Sequence, residues 1–258
     1  RNALNSTAGN NQTGSIAIGF SALTALTTGT GNTAVGFSSM ITTSTGYKTT
    51  AVGWNSLYTN STGYSNTAIG AEALYYTNSD ENVAIGDRAG GYTTGDANTY
   101  VGFKAGFGAS GADAYNVGVG KDALLSITDG GYNAVVGSRA GDALTTGDFN
   151  VMMGDYAGST TQDVDKAILI GHAAGGTGNM VSAADATIAI GYQALTENIS
   201  GAGNVGIGFD SLRNNTTGDY NIAIGYQALL TATELDKNTA FGYQTLKAMS
   251  GSSADSDT

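Results

Sequence analysis

A nine-residue pattern that recurs about every 17 residues constrains this 258-residue chain more than any other feature. Its clearest copy runs from Asn221 to Leu229, with the sequence Asn-Ile-Ala-Ile-Gly-Tyr-Gln-Ala-Leu. We number each copy from its central glycine, position 0. Fourteen such glycines occur, 16 to 20 residues apart: Gly19, Gly36, Gly53, Gly70, Gly86, Gly102, Gly120, Gly137, Gly154, Gly171, Gly191, Gly208, Gly225 and Gly242. A short, nearly constant period is typical of proteins whose repeats stack on one another.

Each repeat predicts a short strand that ends at its glycine. Position −1 is large and apolar in every copy, position −2 is usually Ala, and position −3 is mostly Ile, Val or Thr. Alternation with period two and β-branched residues are typical of a strand. The glycine permits a bend, and a Thr-Gly pair near position −7 marks a second corner. We therefore expect two short strands and two turns in each unit, with no room for an ordinary helix.

One repeat cannot bury its apolar row alone, so the repeats must stack in register. Stacking also aligns the Asn found at position −4 in ten copies, which predicts a ladder of side-chain amides. The predicted fold is all-β: a parallel β-solenoid of the β-roll type with about fourteen 17-residue coils. The array is expected over residues 15–246, between a partial preceding repeat at 1–14 and a flexible tail at 247–258.

Both faces of the predicted strand are apolar, which indicates self-association. We expect the small residues at −2 and +3 to face the narrow interior and the Ile/Val row at −1 to face neighbouring chains. The reverse assignment would leave the same need for two buried faces. Because a closed cyclic assembly hides such a face, an elongated parallel homotrimer is predicted.

Composition argues against several other classes of protein. The net charge of −11 argues against a nucleic-acid partner, which needs clustered Lys and Arg. No apolar run approaches the ~18–20 residues that span a bilayer, so no membrane insertion is expected. The chain has no Cys and one histidine, His172, at an ordinary +1 position. We therefore predict no metal site and no cofactor, and no convergent acid, base or nucleophile indicates an enzyme.

Three local features each allow a functional interpretation and a purely structural one. Residues 106–111 match Gly-x-Gly-x-x-Gly, but they lie in a repeat turn with no following helix, so dinucleotide binding is not expected. Asp163 and Asp165 offer oxygen ligands for Ca²⁺, although a solvated acidic loop is the favoured interpretation. The long step between Gly171 and Gly191 predicts a protruding loop within His172–Thr187, either a recognition loop or a tolerated insertion.

Aromatic residues recur at position +1. Trp54, Tyr192, Tyr226 and Tyr243 are therefore candidates for surface recognition. Such a row forms either a sugar-binding stripe or a ladder packed along a corner.

The repeat Asn-x-Ala-Ile-Gly-Tyr-Gln-Ala-Leu resembles repeats of bacteriophage tail-fibre proteins. It is also similar to the head repeats of trimeric autotransporter adhesins, which wind a Val-Ala-Ile-Gly core into a trimeric left-handed β-roll. The resemblance covers residues 15–246. Many such fibres carry a C-terminal chaperone that cleaves itself off and begins like Ser-Asp-x-Arg-Leu-Lys; Ser256-Asp257 matches its first two residues.

The resemblance implies a structural and adhesive protein. The expected function is a fibre segment of a phage or phage-like particle that attaches to a host cell surface, located on the virion or outside the cell. Its expected partners are two further copies of the chain and a host glycan or protein. The alternatives are the head of a trimeric bacterial adhesin and, in third place, an ice-binding solenoid, although Thr occupies position −3 in only five coils.

Overall fold

The computed structural model describes residue 3, residues 13–108, residue 111 and residues 113–249. Over these residues the chain is an all-β, parallel β-solenoid, as predicted. Nearly all of the predicted partial repeat at 1–14, and the predicted tail from residue 250 onwards, lie outside the described residues.

The chain comprises two compact units, Arg1–Asp129 and Gly130–Thr258. In the first unit, neighbouring strands pair in parallel without a register shift; for example, Ala34 pairs with Ala51. Equivalent repeat positions therefore lie side by side. Its strands are β1 (Ile16–Ile18), β2 (Thr33–Val35), β3 (Thr50–Val52), β4 (Thr67–Ile69), β5 (Val83–Ile85), β6 (Thr99–Val101) and β7 (Val117–Val119).

The second unit repeats the same arrangement. Its strands also pair in parallel and in register, as when Ala189 pairs with Gly206. They are β8 (Ala134–Val136), β9 (Val151–Met153), β10 (Ile168–Ile170), β11 (Ile188–Ile190), β12 (Val205–Ile207), β13 (Ile222–Ile224) and β14 (Thr239–Phe241).

Each described coil contains one three-residue strand, so the prediction of two strands per unit was wrong. The reason lies in the backbone after the glycine. Positions +2 and +4 adopt left-handed conformations, as in Asn55 and Leu57, both with φ of 51°. Position −5 is also left-handed. A strand cannot continue through such residues, which bend the chain at a steric cost for any residue with a side chain. Coil-to-coil hydrogen bonds continue through these bends, as from the Leu57 N–H to the Ala73 carbonyl at 2.9 Å.

The glycine at position 0 is required by both its conformation and its surroundings. These glycines have φ between 128° and 145°, a region that L side chains rarely adopt. A Cβ on Gly53 would also lie 2.2 Å from the carbonyl oxygen of Gly70 in the next coil. The predicted bend is therefore confirmed, and close approach of successive coils is a second reason for glycine.

The small residues face the interior, as the sequence predicts. At position −2, Ala34 and Ala51 are fully buried, and at position +3 so are Ala73 and Ala89. Position +4 joins them: Leu57 has no exposed surface. The core of each unit is thus a narrow column built from positions −2, +3 and +4.

Side-chain volumes at −2 and +4 compensate one another within thirteen of the fourteen coils. Nine coils combine a small −2 residue with Leu or Met at +4, and four coils reverse the sizes; the exception has Ala84 and Gly90, where side chains of the two neighbouring coils, Leu74 and Tyr100, lie against Gly90. The reversed pairs are Tyr100 with Gly106, Val135 with Gly141, Met152 with Gly158, and Leu169 with Gly175. A Cβ on Gly106 would lie 2.3 Å from the Tyr100 ring, which shows that the large −2 side chain fills the space of the missing +4 side chain. This compensation keeps the column close-packed.

The predicted Asn ladder is present, but its hydrogen bonds run mainly to the backbone. The Oδ1 of Asn82 accepts from the backbone N–H of Asn98 at 2.9 Å. The Nδ2 of Asn82 donates to the carbonyl of Gly95, in the next coil, at 3.0 Å. Direct amide-to-amide bonds occur as well, as from Asn238 Nδ2 to Asn221 Oδ1 at 3.0 Å. Each buried Asn thereby ties one coil to the next at the corner before the strand.

Replacing Asn221 by Ala is expected to lower the free energy of unfolding by about 2–3 kcal/mol. The substitution removes the acceptor of the Asn238 N–H and the donor to the Leu235 carbonyl, at 3.0 and 2.6 Å, and leaves both groups buried. Urea denaturation measures the change. The matched control is Asn214→Ala in the preceding coil, where the side chain is partly exposed; equal losses in the two variants would contradict the ladder's role.

Candidate binding surfaces

The outward side of the strands is uncharged and mostly apolar. We call the side chains at positions −3 and −1 of β1–β14 the outer strand face. None of these positions carries a charged residue. Ile69 and Ile85 are each 39 % exposed, and Phe241 is 78 % exposed. The Ile/Val row thus points outwards within each unit, as the sequence predicts, and its apolar surface has no partner among the described residues.

In the second unit, aromatic residues at +1 form a stacked ladder. Its members are His172, Tyr192, Phe209, Tyr226 and Tyr243. Successive ring centroids are 4.9 to 5.3 Å apart and the rings are inclined by only 8° to 28°. Stacking covers ring faces along the ladder and leaves mainly ring edges to solvent. This geometry favours ladder packing over sugar stacking for Tyr192 and Tyr226. Tyr243 is more exposed, at 73 %.

In the first unit the +1 row is shorter. Phe20 and Phe37 stack with centroids 5.3 Å apart. Trp54, the third aromatic residue along this row and one of the four candidates, is 51 % exposed, and its carbonyl accepts from the Glu72 N–H at 2.8 Å. The structure therefore places Trp54 on the surface of the first unit, and Tyr192, Tyr226 and Tyr243 together along one row of the second unit.

A groove that sequence reasoning missed lies in the first unit, at positions +5 and +6. It has a volume of about 410 Å³ and is open to solvent. Its floor includes Gly91, and its walls are Tyr75, Tyr76, Tyr92, Phe107, Glu72 and Arg88. Glu72 and Arg88 form an ion pair with 2.9 Å between Oε2 and Nε. Burial, followed by the neighbouring Tyr76, raises the pKa of Tyr75, which keeps its hydroxyl neutral. The clue in the sequence was the aromatic cluster at these positions, which a search centred on position +1 passes over.

A buried tyrosine–aspartate pair also lies in the first unit. The Tyr100 hydroxyl donates to Asp113 Oδ2 at 2.6 Å, and Asp113 is only 2 % exposed. Burial raises the pKa of Asp113 to about 7, although the hydrogen bond from Tyr100 opposes the shift. Tyr100 stands at −2, where most coils have Ala, and Asp113 stands at −7, where eight coils have Gly. Two departures from the repeat in adjacent coils were the available signal.

The acidic residues near position −6 have a structural role. Asp165 Oδ1 accepts from the backbone N–H of Asp148 at 2.8 Å, and Asp185 Oδ1 accepts from that of Asp165 at 2.9 Å. Each carboxylate thus bonds one coil to its neighbour. In the part of the chain that the structure describes, no group of three or more His, Cys, Asp or Glu side chains, at Asp163 and Asp165 or elsewhere, is placed to hold a metal ion.

The remaining sequence motifs are ordinary parts of the coil. His172 is a surface residue, with Nδ1 3.5 Å from Asp155 Oδ2. In the match at 106–111, Gly106 lies against the Tyr100 ring, while residues 109 and 110 lie outside the described residues.

The predicted protruding loop between His172 and Thr187 is in part folded back onto the coil. Its extra residues form a 3₁₀ turn, Ser182–Ala184. Ala184 is buried, and its carbonyl accepts from the Thr187 hydroxyl at 2.8 Å. Only Ser182 and Ala183 of this turn are exposed, so the predicted protruding loop is in part packed against the coil.

Fold and surfaces together define the class of this protein: a β-solenoid repeat protein with an apolar outer strand face. No protein-family model matches the sequence, and no curated protein matches it significantly. Among the described residues there is no helix long and apolar enough to cross a membrane.

Proposed function

We propose that the chain is a segment of a homotrimeric fibre of a phage or phage-like particle, and that the fibre serves attachment to a host cell surface. The observation that carries the proposal is the outer strand face, whose uncharged and mostly apolar rows at −3 and −1 have no partner among the described residues. Soluble monomers rarely expose large contiguous apolar surfaces unless these bind a partner.

A second copy of the chain is the occupant that best suits this face. The chain carries a net charge of −11, so identical chains repel one another wherever their charged sides meet. The outer strand face is uncharged, which makes it the surface on which acidic copies can approach. Stacked coils also repeat the same side chains at a constant spacing, so that two parallel copies can match along their length. Three chains around one axis close the arrangement.

The resemblance of the repeat to phage tail-fibre repeats supports the fibre function rather than another trimeric role. A location on the virion or at a cell surface agrees with it. Many identical chains on one particle give multivalent attachment, so weak individual sites suffice.

The assembly is tested by the molar mass of the purified chain. Light scattering is expected to give three times the 25.9 kDa chain mass. Ile207→Lys, on the outer strand face, is expected to give a folded monomer, because three lysines would be buried without partners. Thr217→Lys adds the same charge on an exposed turn and is expected to leave the trimer intact. A monomeric wild-type chain, or a trimer unaffected by Ile207→Lys, contradicts the proposal.

A further inference from the structure

We propose that the groove around Gly91 binds one ring of a neutral hexopyranose in a cell-surface glycan. The inference rests on the proposed attachment function and names a ligand class for one site within it. All residues that line the groove belong to the first unit, and none of them is one of the four +1 aromatic candidates from the sequence analysis.

The groove exists because one rung of an aromatic row is missing. Position +5 is Tyr58, Tyr75 and Phe107 in three coils, but Gly91 occupies it between the last two. Tyr58 and Tyr75 stack with centroids 5.0 Å apart and an inclination of 8°. The next coil offers no ring at position +5. Tyr75 therefore stacks on Tyr58 on one side and has no parallel ring at the equivalent position on the other side.

Two pairs of rings around the groove are perpendicular to one another, and one pair is parallel. Tyr75 and Tyr76 are inclined by 78°, and Tyr92 and Phe107 by 86°. Phe107 also lies close to Gly91, since a Cβ on residue 91 would be 2.8 Å from Phe107 Cδ2. Tyr76 and Tyr92, by contrast, stack with centroids 5.0 Å apart and an inclination of 17°, and they remain 45 % and 38 % exposed. The flat C–H face of a pyranose packs on exposed aromatic surface of this kind.

Polar groups at the groove suit the hydroxyls of a sugar. The Glu72 carboxylate accepts hydrogen bonds, and the planar Arg88 guanidinium uses its Nε towards Glu72 and has further N–H donors. A carboxylate next to a guanidinium can thus hold neighbouring hydroxyls that both donate and accept. The volume of about 410 Å³ falls within the range usual for small-molecule sites.

The charges near the groove favour a neutral sugar. The two carboxylates, Glu72 and Asp87, are balanced by Arg88 and by Lys104, whose Nζ lies 5.5 Å from the Phe107 ring centroid. Arg88 is already paired with Glu72, so no excess positive charge remains to select an anionic sugar. In a chain of net charge −11, a sialic or uronic acid is further disfavoured by repulsion.

The test is titration of the purified chain with the methyl glycosides of glucose, galactose and mannose, and with N-acetylneuraminic acid, followed by NMR. At least one neutral glycoside is expected to bind with a dissociation constant on the order of millimolar. Tyr75→Ala is expected to weaken binding by about tenfold, whereas Tyr75→Phe retains the ring and keeps most of the affinity. The matched control is Tyr47→Ala, which removes a ring stacked on Tyr64 that does not line the groove; the affinity of this variant is expected to stay within about twofold of the wild type. Circular dichroism checks that every variant is folded.

Three outcomes overturn this inference: no neutral glycoside binds at concentrations of several tens of millimolar, on the order of ten times the expected dissociation constant; only the acidic sugar binds; or Tyr75→Ala and Tyr47→Ala weaken binding equally. The molar mass of the same samples separates this failure from failure of the fibre proposal. A trimer that binds no neutral sugar refutes the groove as a sugar site, and the fibre proposal stands.

Discussion

Gly53→Ala is expected to destabilise the first unit by more than about 4 kcal/mol, or to prevent its folding. Gly53 has φ of 144°, and a Cβ there would lie 2.2 Å from the Gly70 carbonyl oxygen and 2.6 Å from its carbonyl carbon. These are backbone atoms of the next coil, so no side chain can rotate away. The two coils must separate, which breaks the hydrogen bonds that join them. Thermal melting by circular dichroism is expected to show a midpoint lowered by more than about 10 °C.

Gly242→Ala is the matched control for the substitution at Gly53. Gly242 has a similar φ of 128°, but the nearest heavy atom to a Cβ there is Thr245 Oγ1, at 3.0 Å. This variant is expected to be destabilised only by the conformational strain of an alanine at this φ, which costs about 1–3 kcal/mol. Equal effects of the two substitutions would show that φ alone, and not the approach of the next coil, requires glycine at position 0.

Asp113→Asn is expected to stabilise the chain above about pH 7, by up to about 4 kcal/mol. The pKa of Asp113 is raised by burial from 3.8 to about 7, so the folded chain holds a proton that the unfolded chain releases. The stability that this proton contributes is present in full below about pH 4. It declines as the pH rises, and above about pH 7 a bare carboxylate is buried beside Tyr100. An asparagine can still accept from the Tyr100 hydroxyl and never ionises.

Urea denaturation at about pH 5 and about pH 9 measures this effect. The wild-type chain is expected to be less stable at the higher pH, and Asp113→Asn is expected to remove most of the difference. Asp87→Asn, which changes an exposed aspartate of the same unit, serves as the control and should leave the difference unchanged. A wild-type chain whose stability does not fall between these pH values would contradict a raised pKa at Asp113.

The small residues in the interior of the coil were predictable because they follow a pattern that repeats within every coil. Ala34 and Ala73 belong to rows of small residues, and a narrow coil has room only for such rows. The outward orientation of Ile69 and the alignment of the glycines follow from the same period. The number of strands was not predictable, since left-handed φ at residues such as Leu57 runs against the usual preference of leucine. The steric cost of this left-handed conformation is offset by burial of the leucine side chain.

The candidate surfaces were predictable only in part. The aromatic row at +1 was visible in the sequence, but the sequence does not reveal that the faces of Tyr192 and Tyr226 are covered by stacking. The groove at Gly91 was missed because it depends on one residue that differs from its counterparts in other coils. The Tyr100–Asp113 pair was missed for the same reason: each residue is unremarkable until the two are seen to meet.

The sequence by itself determined the all-β class, the period of about 17 residues and the in-register stacking. It did so because every coil contacts the equivalent positions of the next coil, so that a repeated local pattern is also the pattern of long-range contacts. Only the tertiary structure decided how single departures from the repeat are accommodated: where Tyr100 finds its hydrogen bond, and how the rings around Gly91 are inclined to one another. Those outcomes depend on the angles and distances between side chains in neighbouring coils, which a one-dimensional period does not contain.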